Sequence, residues 1–81
     1  MSYSYNTDLL INVSLGNQMI TDIKPVSSRT LTRYRRDLGI ILIQREGIYY
    51  YLENDLQILR RFVNLLKDGK EYYQAIIEVL E

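Results

Sequence analysis

The chain has no cysteine and no histidine among its 81 residues. Without thiols there is no disulfide framework and no thiol redox sensing. Without either residue there is no Cys/His zinc site and no Cys- or His-based nucleophile. No glycine-rich loop suited to cradling phosphate is present, and no motif places two carboxylates together for acid–base work, so the chain reads as a non-enzyme without metal or cofactor. No apolar run approaches membrane-spanning length and no signal-peptide pattern opens the chain, which leads us to expect a cytoplasmic protein with no membrane partner. A single proline and four glycines punctuate the sequence.

What is present is enough to fold. At 81 residues and 47% hydrophobic content, the chain can build one small domain around one core. Ten basic and ten acidic residues cancel, but they are unevenly spread. Residues 24–46 hold six of the basic side chains (Lys24, Arg29, Arg33, Arg35, Arg36, Arg45) against Asp37 and Glu46. The flanking regions are each slightly acidic. A local positive patch is what docking on phosphates requires, while a neutral total predicts weak non-specific binding.

The centre of that patch has helix punctuation. Ser27 can cap, Gly39 can stop, and Leu31, Tyr34 and Leu38 form an apolar stripe between them. Arg29, Thr30, Thr32, Arg33, Arg35 and Arg36 fill the remaining circumference. Arginine pairs bidentately with guanine, and small hydroxyl residues let a helix end approach base edges, so this helix suits duplex reading. The same pattern also describes an ordinary solvated surface helix; the neighbouring elements favour the first reading. Before it, Ser14 can cap a helix over 15–23 with Leu15, Met19, Ile20 and Ile23 on one face. Lys24-Pro25-Val26 then breaks the chain, giving a helix-turn-helix.

Ile40–Gln44 and Ile48–Leu52 are β-branched and aromatic runs joined by Arg45-Glu46-Gly47, the pattern of a hairpin. For Tyr49–Tyr51, cross-strand packing is the simplest role. Asn54, with Gln57 three residues on, can cap a third helix whose core face is Leu56, Leu59, Phe62, Val63 and Leu66, stopped by Gly69. Arg60 and Arg61 read as solvent-facing. A last helix over 70–80 is expected to bury Tyr73, Ile76, Ile77 and Leu80. Residues 1–13 are set apart as an N-terminal segment available to a partner; Ile11, Val13 and Leu15 alternate like a strand that could join a sheet edge, or the stretch is a tail with a packed end.

This order over a domain at 14–81, mostly α with a small β-hairpin (α-α-β-β-α-α), resembles the winged helix-turn-helix DNA-binding domain of MerR-type transcription regulators from about Asn17 to the end. The motifs are Val26-Ser27-Ser28-Arg29-Thr30-Leu31 followed by Tyr34, the hairpin Arg45–Tyr51, Glu53-x-Asp55-Leu56, and Gly69 with Ile76/Ile77–Leu80. The resemblance implies that Arg29 and Thr30 face bases, Tyr34 meets the DNA backbone and Arg45 is the wing arginine. Thr32 and Arg33 stand where the family commonly has Arg-Tyr, and Tyr49 where the wing usually has a second arginine. Arg33 is expected near base edges, and Ser27, Arg36 and Arg45 on the backbone, so the candidate DNA-binding set is Ser27, Arg29, Thr30, Thr32, Arg33, Tyr34, Arg36, Arg45 and Tyr49.

Regulators of this type continue into a dimerising helix and an effector-sensing segment. Here the fourth helix ends the sequence, so the expectation is a small stand-alone member with no small-molecule effector, binding double-stranded DNA at the prokaryotic nucleoid as a homodimer or cooperative oligomer. It would act as a sequence-specific transcription regulator, a repressor and one suited to a mobile element. The alternatives are an excisionase-like architectural factor, or a protein-interaction module or inhibitor on a winged-helix fold. The eight tyrosines suit the last of these.

Overall fold

The computed structural model describes residues 9–81. Residues 1–8, most of the segment set apart for a partner, lie outside the described residues. In chain order the elements are β1 (Leu10–Asn12), α1 (Val13–Ile23), α2 (Ser28–Leu38), β2 (Ile43–Arg45), β3 (Ile48–Leu52), α3 (Glu53–Lys67) and α4 (Tyr72–Leu80). The described residues are thus mostly helical, with one small antiparallel sheet in the order β1-β3-β2. No helix among them is long and apolar enough to cross a membrane.

Of the N-terminal alternation Ile11, Val13 and Leu15, only Ile11 lies in a sheet edge; Val13 and Leu15 belong to α1. Leu10, Ile11 and Asn12 pair with Leu52, Tyr51 and Tyr50, which makes β3 the central strand. Val13 already belongs to α1, because the side chain of Asn12, rather than Ser14, caps that helix: its Oδ1 accepts from the Ser14 N–H at 2.8 Å. The face that α1 buries is Gly16 and Ile20, with Met19 and Ile23 at its margins, while Leu15 points out. Gly16 lies against the Tyr51 ring. A Cβ there would stand 2.5 Å from Tyr51 Cδ2, so only glycine lets α1 approach the sheet this closely.

The punctuation of α2 falls where expected. Ser27 Oγ accepts from the Thr30 N–H at 3.2 Å, and Leu31, Tyr34 and Leu38 are buried. Gly39 closes the helix at φ +73°; the Ile40 N–H reaches back to the Arg35 carbonyl at 2.8 Å, satisfying an orphan acceptor of the last turn. Ile40–Leu42 is a lead-in rather than strand. The turn between β2 and β3 is two residues, Glu46 and Gly47, both at positive φ (52° and 80°), the conformation that matches the twist of a tight hairpin.

Three expectations are corrected further along. Asn54 and Gln57 do not cap α3. β3 runs directly into that helix with Leu52 at the junction and no side-chain cap, and the Glu53 N–H donates to the Leu9 carbonyl at 2.9 Å as part of the sheet edge. Glu53 and Asp55 in the first turn instead offset the positive helix end. The second correction is the rotation of α4. It buries Ala75 and Val79, with Tyr72 and Ile76 half-buried, and leaves Tyr73, Ile77 and Leu80 at 67%, 51% and 51% exposure. The small Ala75 lets α4 lie close on its neighbour, and Tyr72 packs edge-on to Phe62 with ring centroids 5.4 Å apart. These contacts fix a phase that an all-apolar pattern leaves open. Arg61 is exposed, but Arg60 is half-buried, with its Nε inside the protein and without a hydrogen-bond partner among the described residues.

Tyr51, Phe62, Ile20, Leu56, Leu59 and Val63 are the largest fully buried side chains. They come from α1, β3 and α3, so these elements form the platform and α2 lies across it through Leu31, Tyr34 and Leu38.

Candidate nucleic-acid interface

At about 100° per residue, Leu31, Tyr34 and Leu38 occupy one side of α2, and Arg29, Thr32, Arg33 and Arg36 fall together on the other. All four are exposed. Ser27 and Ser28 are exposed at the N-terminal end, and Thr30 is half-buried, its hydroxyl accepting from Ser27 Oγ at 3.1 Å. Thr32 Oγ1 donates to the Ser28 carbonyl at 3.0 Å. The first turn is therefore hydrogen-bonded internally, and Arg29 projects from it with no partner among the described residues.

Two arginine-bearing flanks border this stripe. On the sheet side, Arg35 turns inward: its Nη1 donates to the Tyr51 hydroxyl at 3.0 Å, its Nη2 to Thr32 Oγ1 at 3.2 Å, and its guanidinium stands 5.8 Å from the Tyr51 ring centroid. The Tyr51 hydroxyl in turn donates to Asn17 Oδ1 at 2.6 Å. Burial pushes the Tyr51 phenol above its ordinary range, with Arg35 acting against that shift. Arg35 is a fastening between α2, β3 and α1.

On the α4 side, the Tyr72 hydroxyl donates to Asp37 Oδ2 at 2.6 Å, which holds the Asp37 carboxyl below the usual carboxylate range. Burial, reinforced by the Asp37 carboxylate, pushes the Tyr72 phenol up to about 12. Arg33 leans the same way, its guanidinium 5.5 Å from the Tyr72 ring centroid and 5.9 Å from that of Tyr34. Arg36 Nε meets Asp37 Oδ1 at 3.4 Å, a loose contact between neighbours at the surface.

Tyr34, expected on the DNA backbone, is 4% exposed. Its ring packs edge-on to Phe62 at 5.1 Å, and it serves as core. The two wing residues also separate. Arg45 pairs with Ile48 and Gln44 with Tyr49 across the hairpin, and alternate residues of a strand face opposite ways. Arg45 therefore shares one face with Ile48 and Tyr50. Tyr49 lies on the other, the face of Tyr51. Both are exposed, but one flat ligand surface cannot meet them equally.

Asn17, Asp37, Tyr51, Tyr72 and Tyr73 stand outside the candidate DNA-binding set read from the sequence, although they position or flank the stripe. The partners Asn17–Tyr51 and Asp37–Tyr72 are 34 and 35 residues apart, beyond the reach of any periodicity. Compared with protein-family models, curated proteins and solved structures, the chain matches none.

Proposed function

We propose that this chain is a sequence-reading module for double-stranded DNA with a winged helix-turn-helix arrangement of the MerR type, acting as a transcription regulator. The observation that carries this reading is the stripe Arg29, Thr32, Arg33 and Arg36, exposed opposite the buried face of a helix. A convex helix edge bearing arginines, with its N-terminal end open, suits the width of the major groove. The order of α1, α2, the β2–β3 hairpin, α3 and α4 supports the winged arrangement, with α2 as the inserted helix and Arg45 on the wing reaching phosphate. Arg29, on the first turn and without a side-chain partner among the described residues, is the principal base-reading residue.

One such module makes a small interface with DNA, on the order of 600–1,000 Å². Useful affinity follows from several copies on repeated sites, as a homodimer or a cooperative array. Repression by occupancy is the simplest mode, and an excisionase-like architectural role uses the same contacts.

A second reading, a protein-interaction module, is favoured by one specific observation: Tyr73, Ile77 and Leu80 leave an apolar stripe on α4 exposed. The deciding measurement is fluorescence-anisotropy binding to a random duplex pool across a salt series, followed by sequencing of the retained fraction. The DNA reading expects steep salt dependence and an enriched repeat. Arg29→Ala then relaxes the preference, while Arg45→Ala weakens all duplexes alike and lowers the log–log salt slope by about 0.9. No binding at low salt would overturn the DNA reading and leave the α4 stripe as the surface to pursue.

A further inference from the structure

Between α2 and the start of α4, Arg33, Arg36, Asp37, Tyr72 and Tyr73 line an open cavity of about 480 Å³. Its floor is fixed. The Tyr72 ring is wedged against Phe62, and its hydroxyl is tied to Asp37 at 2.6 Å. Arg33 is held over that floor by two aromatic faces. Tyr73 forms the outer wall, its ring edge-on to Tyr72 at 5.2 Å. Two guanidiniums face one carboxylate, and that carboxylate is already engaged by a phenol and by Arg36. Glu71, which precedes Tyr72, keeps its negative charge while accepting from the Gln74 N–H at 3.1 Å, and Lys70 pairs with Glu78 at 3.1 Å; neither Glu71 nor that pair lines the cavity. The cavity carries excess positive charge on a preformed aromatic base.

We propose that this cavity holds one phosphodiester of the DNA strand bordering the groove that α2 enters. Arg33 and Arg36 donate to its non-bridging oxygens, and the Tyr73 ring lies against the adjoining sugar. The inference rests on the DNA reading above and deepens it. Residues three apart on a helix are neighbours, so the two guanidiniums can converge on one tetrahedral anion whose oxygens match their forked donors. A deoxyribose offers apolar C–H edges, which suit an exposed tyrosine ring. Arg33 changes role in consequence. Drawn toward α4 by Tyr72 and Tyr34, it positions the duplex rather than reading a base, and Arg29 is left to specify. Tyr73 becomes a binding residue.

The test uses the full chain and the duplex enriched from the random pool, beside a scrambled duplex. Arg33→Ala should weaken both on the order of tenfold, the loss of a charge-assisted hydrogen bond, and lower the log–log salt slope by about 0.9 without altering the preference between them. Arg33→Lys, which keeps the charge, should restore the slope. Tyr73→Ala should weaken both duplexes and leave the slope unchanged. Enriched duplexes with a single neutral methylphosphonate at each backbone position in turn then locate the contact. One position should cost the wild type affinity and cost the Arg33→Ala variant almost nothing. Arg33→Ala altering the sequence preference, or no position behaving this way, overturns the phosphate site while the DNA reading stands. Wild type that binds no duplex overturns both.

Discussion

Tyr51 and Tyr72 sit on opposite flanks of α2, and each fastens a charged residue of that helix through its hydroxyl. Tyr51 accepts from Arg35 at 3.0 Å and donates onward to Asn17; Tyr72 donates to Asp37 at 2.6 Å. The settings differ. Tyr51 is wholly enclosed, central to the sheet and in contact with Gly16. Tyr72 is half-buried, with one edge in the core and the other lining an open cavity. A fully buried polar group must find partners, and Tyr51 spends its hydroxyl on internal structure. The Tyr72 flank stays open to a ligand. α2 is thus held on both sides by similar means, and the Tyr72 side opens onto a cavity.

Substitution on the Tyr51 side should cost the most stability. Tyr51→Ala leaves a cavity in the core and removes the partner of Arg35; the expected loss is about 3–5 kcal/mol of unfolding free energy, read from urea denaturation. A loss no larger than that of Tyr72→Ala would contradict the ranking of the two flanks. Next comes Gly16→Ala. Its new Cβ meets the Tyr51 ring at a distance no packed atoms tolerate, so α1 or the ring must shift. Overpacking of this kind costs about 1–3 kcal/mol, and the same denaturation experiment checks it. A neutral outcome would mean that Tyr51 is less firmly seated than its contacts imply.

The smallest effect is expected from Tyr72→Phe, and it is best seen against pH. The folded state raises the Tyr72 phenol from its ordinary 10 to about 12. Its contribution to stability is therefore complete below pH 10 and is lost as pH rises from 10 toward 12. Asp37 has the opposite sign: its carboxyl is lowered from 3.8, so its contribution is present above pH 3.8 and disappears as pH falls below that. Thermal melts of wild type and Tyr72→Phe should diverge least at the two extremes and most between them. Indistinguishable melts across the whole range would show that the hydroxyl bond contributes nothing.

Local signals in the sequence were accurate where a structure depends on neighbours within a turn. Ser27 and Gly39 bound α2, because a cap satisfies backbone groups three to five residues away. Glu46-Gly47 marked the hairpin, and Leu31, Tyr34 and Leu38 marked the buried stripe. The failures have a common cause. Asn54 looked like a cap in isolation, but the preceding strand continues to pair up to the helix and supplies the bond instead. α4 is apolar around much of its circumference, so its own pattern could not choose the buried side; Ala75 and Tyr72 decided it by fitting against existing surfaces. Tyr34 belonged to two patterns at once, an apolar stripe and a family's backbone-contacting position, and burial selected the first.

The candidate interface divides the same way. That arginines crowd the outer side of α2 follows from their spacing alone, since helical geometry places Arg29, Arg33 and Arg36 opposite the apolar stripe. Which of them is free follows from nothing local. Arg35 is taken by a tyrosine 16 residues away, and Arg33 is drawn toward a tyrosine that pairs with a carboxylate 35 residues distant. Hydrogen bonds and aromatic contacts over such separations exist only after the chain has closed its core. Local patterning placed the four helices, the hairpin turn and the charged face, because each depends on neighbours within a few residues; closure of the core selected which charges are fastenings and which stay available to bind.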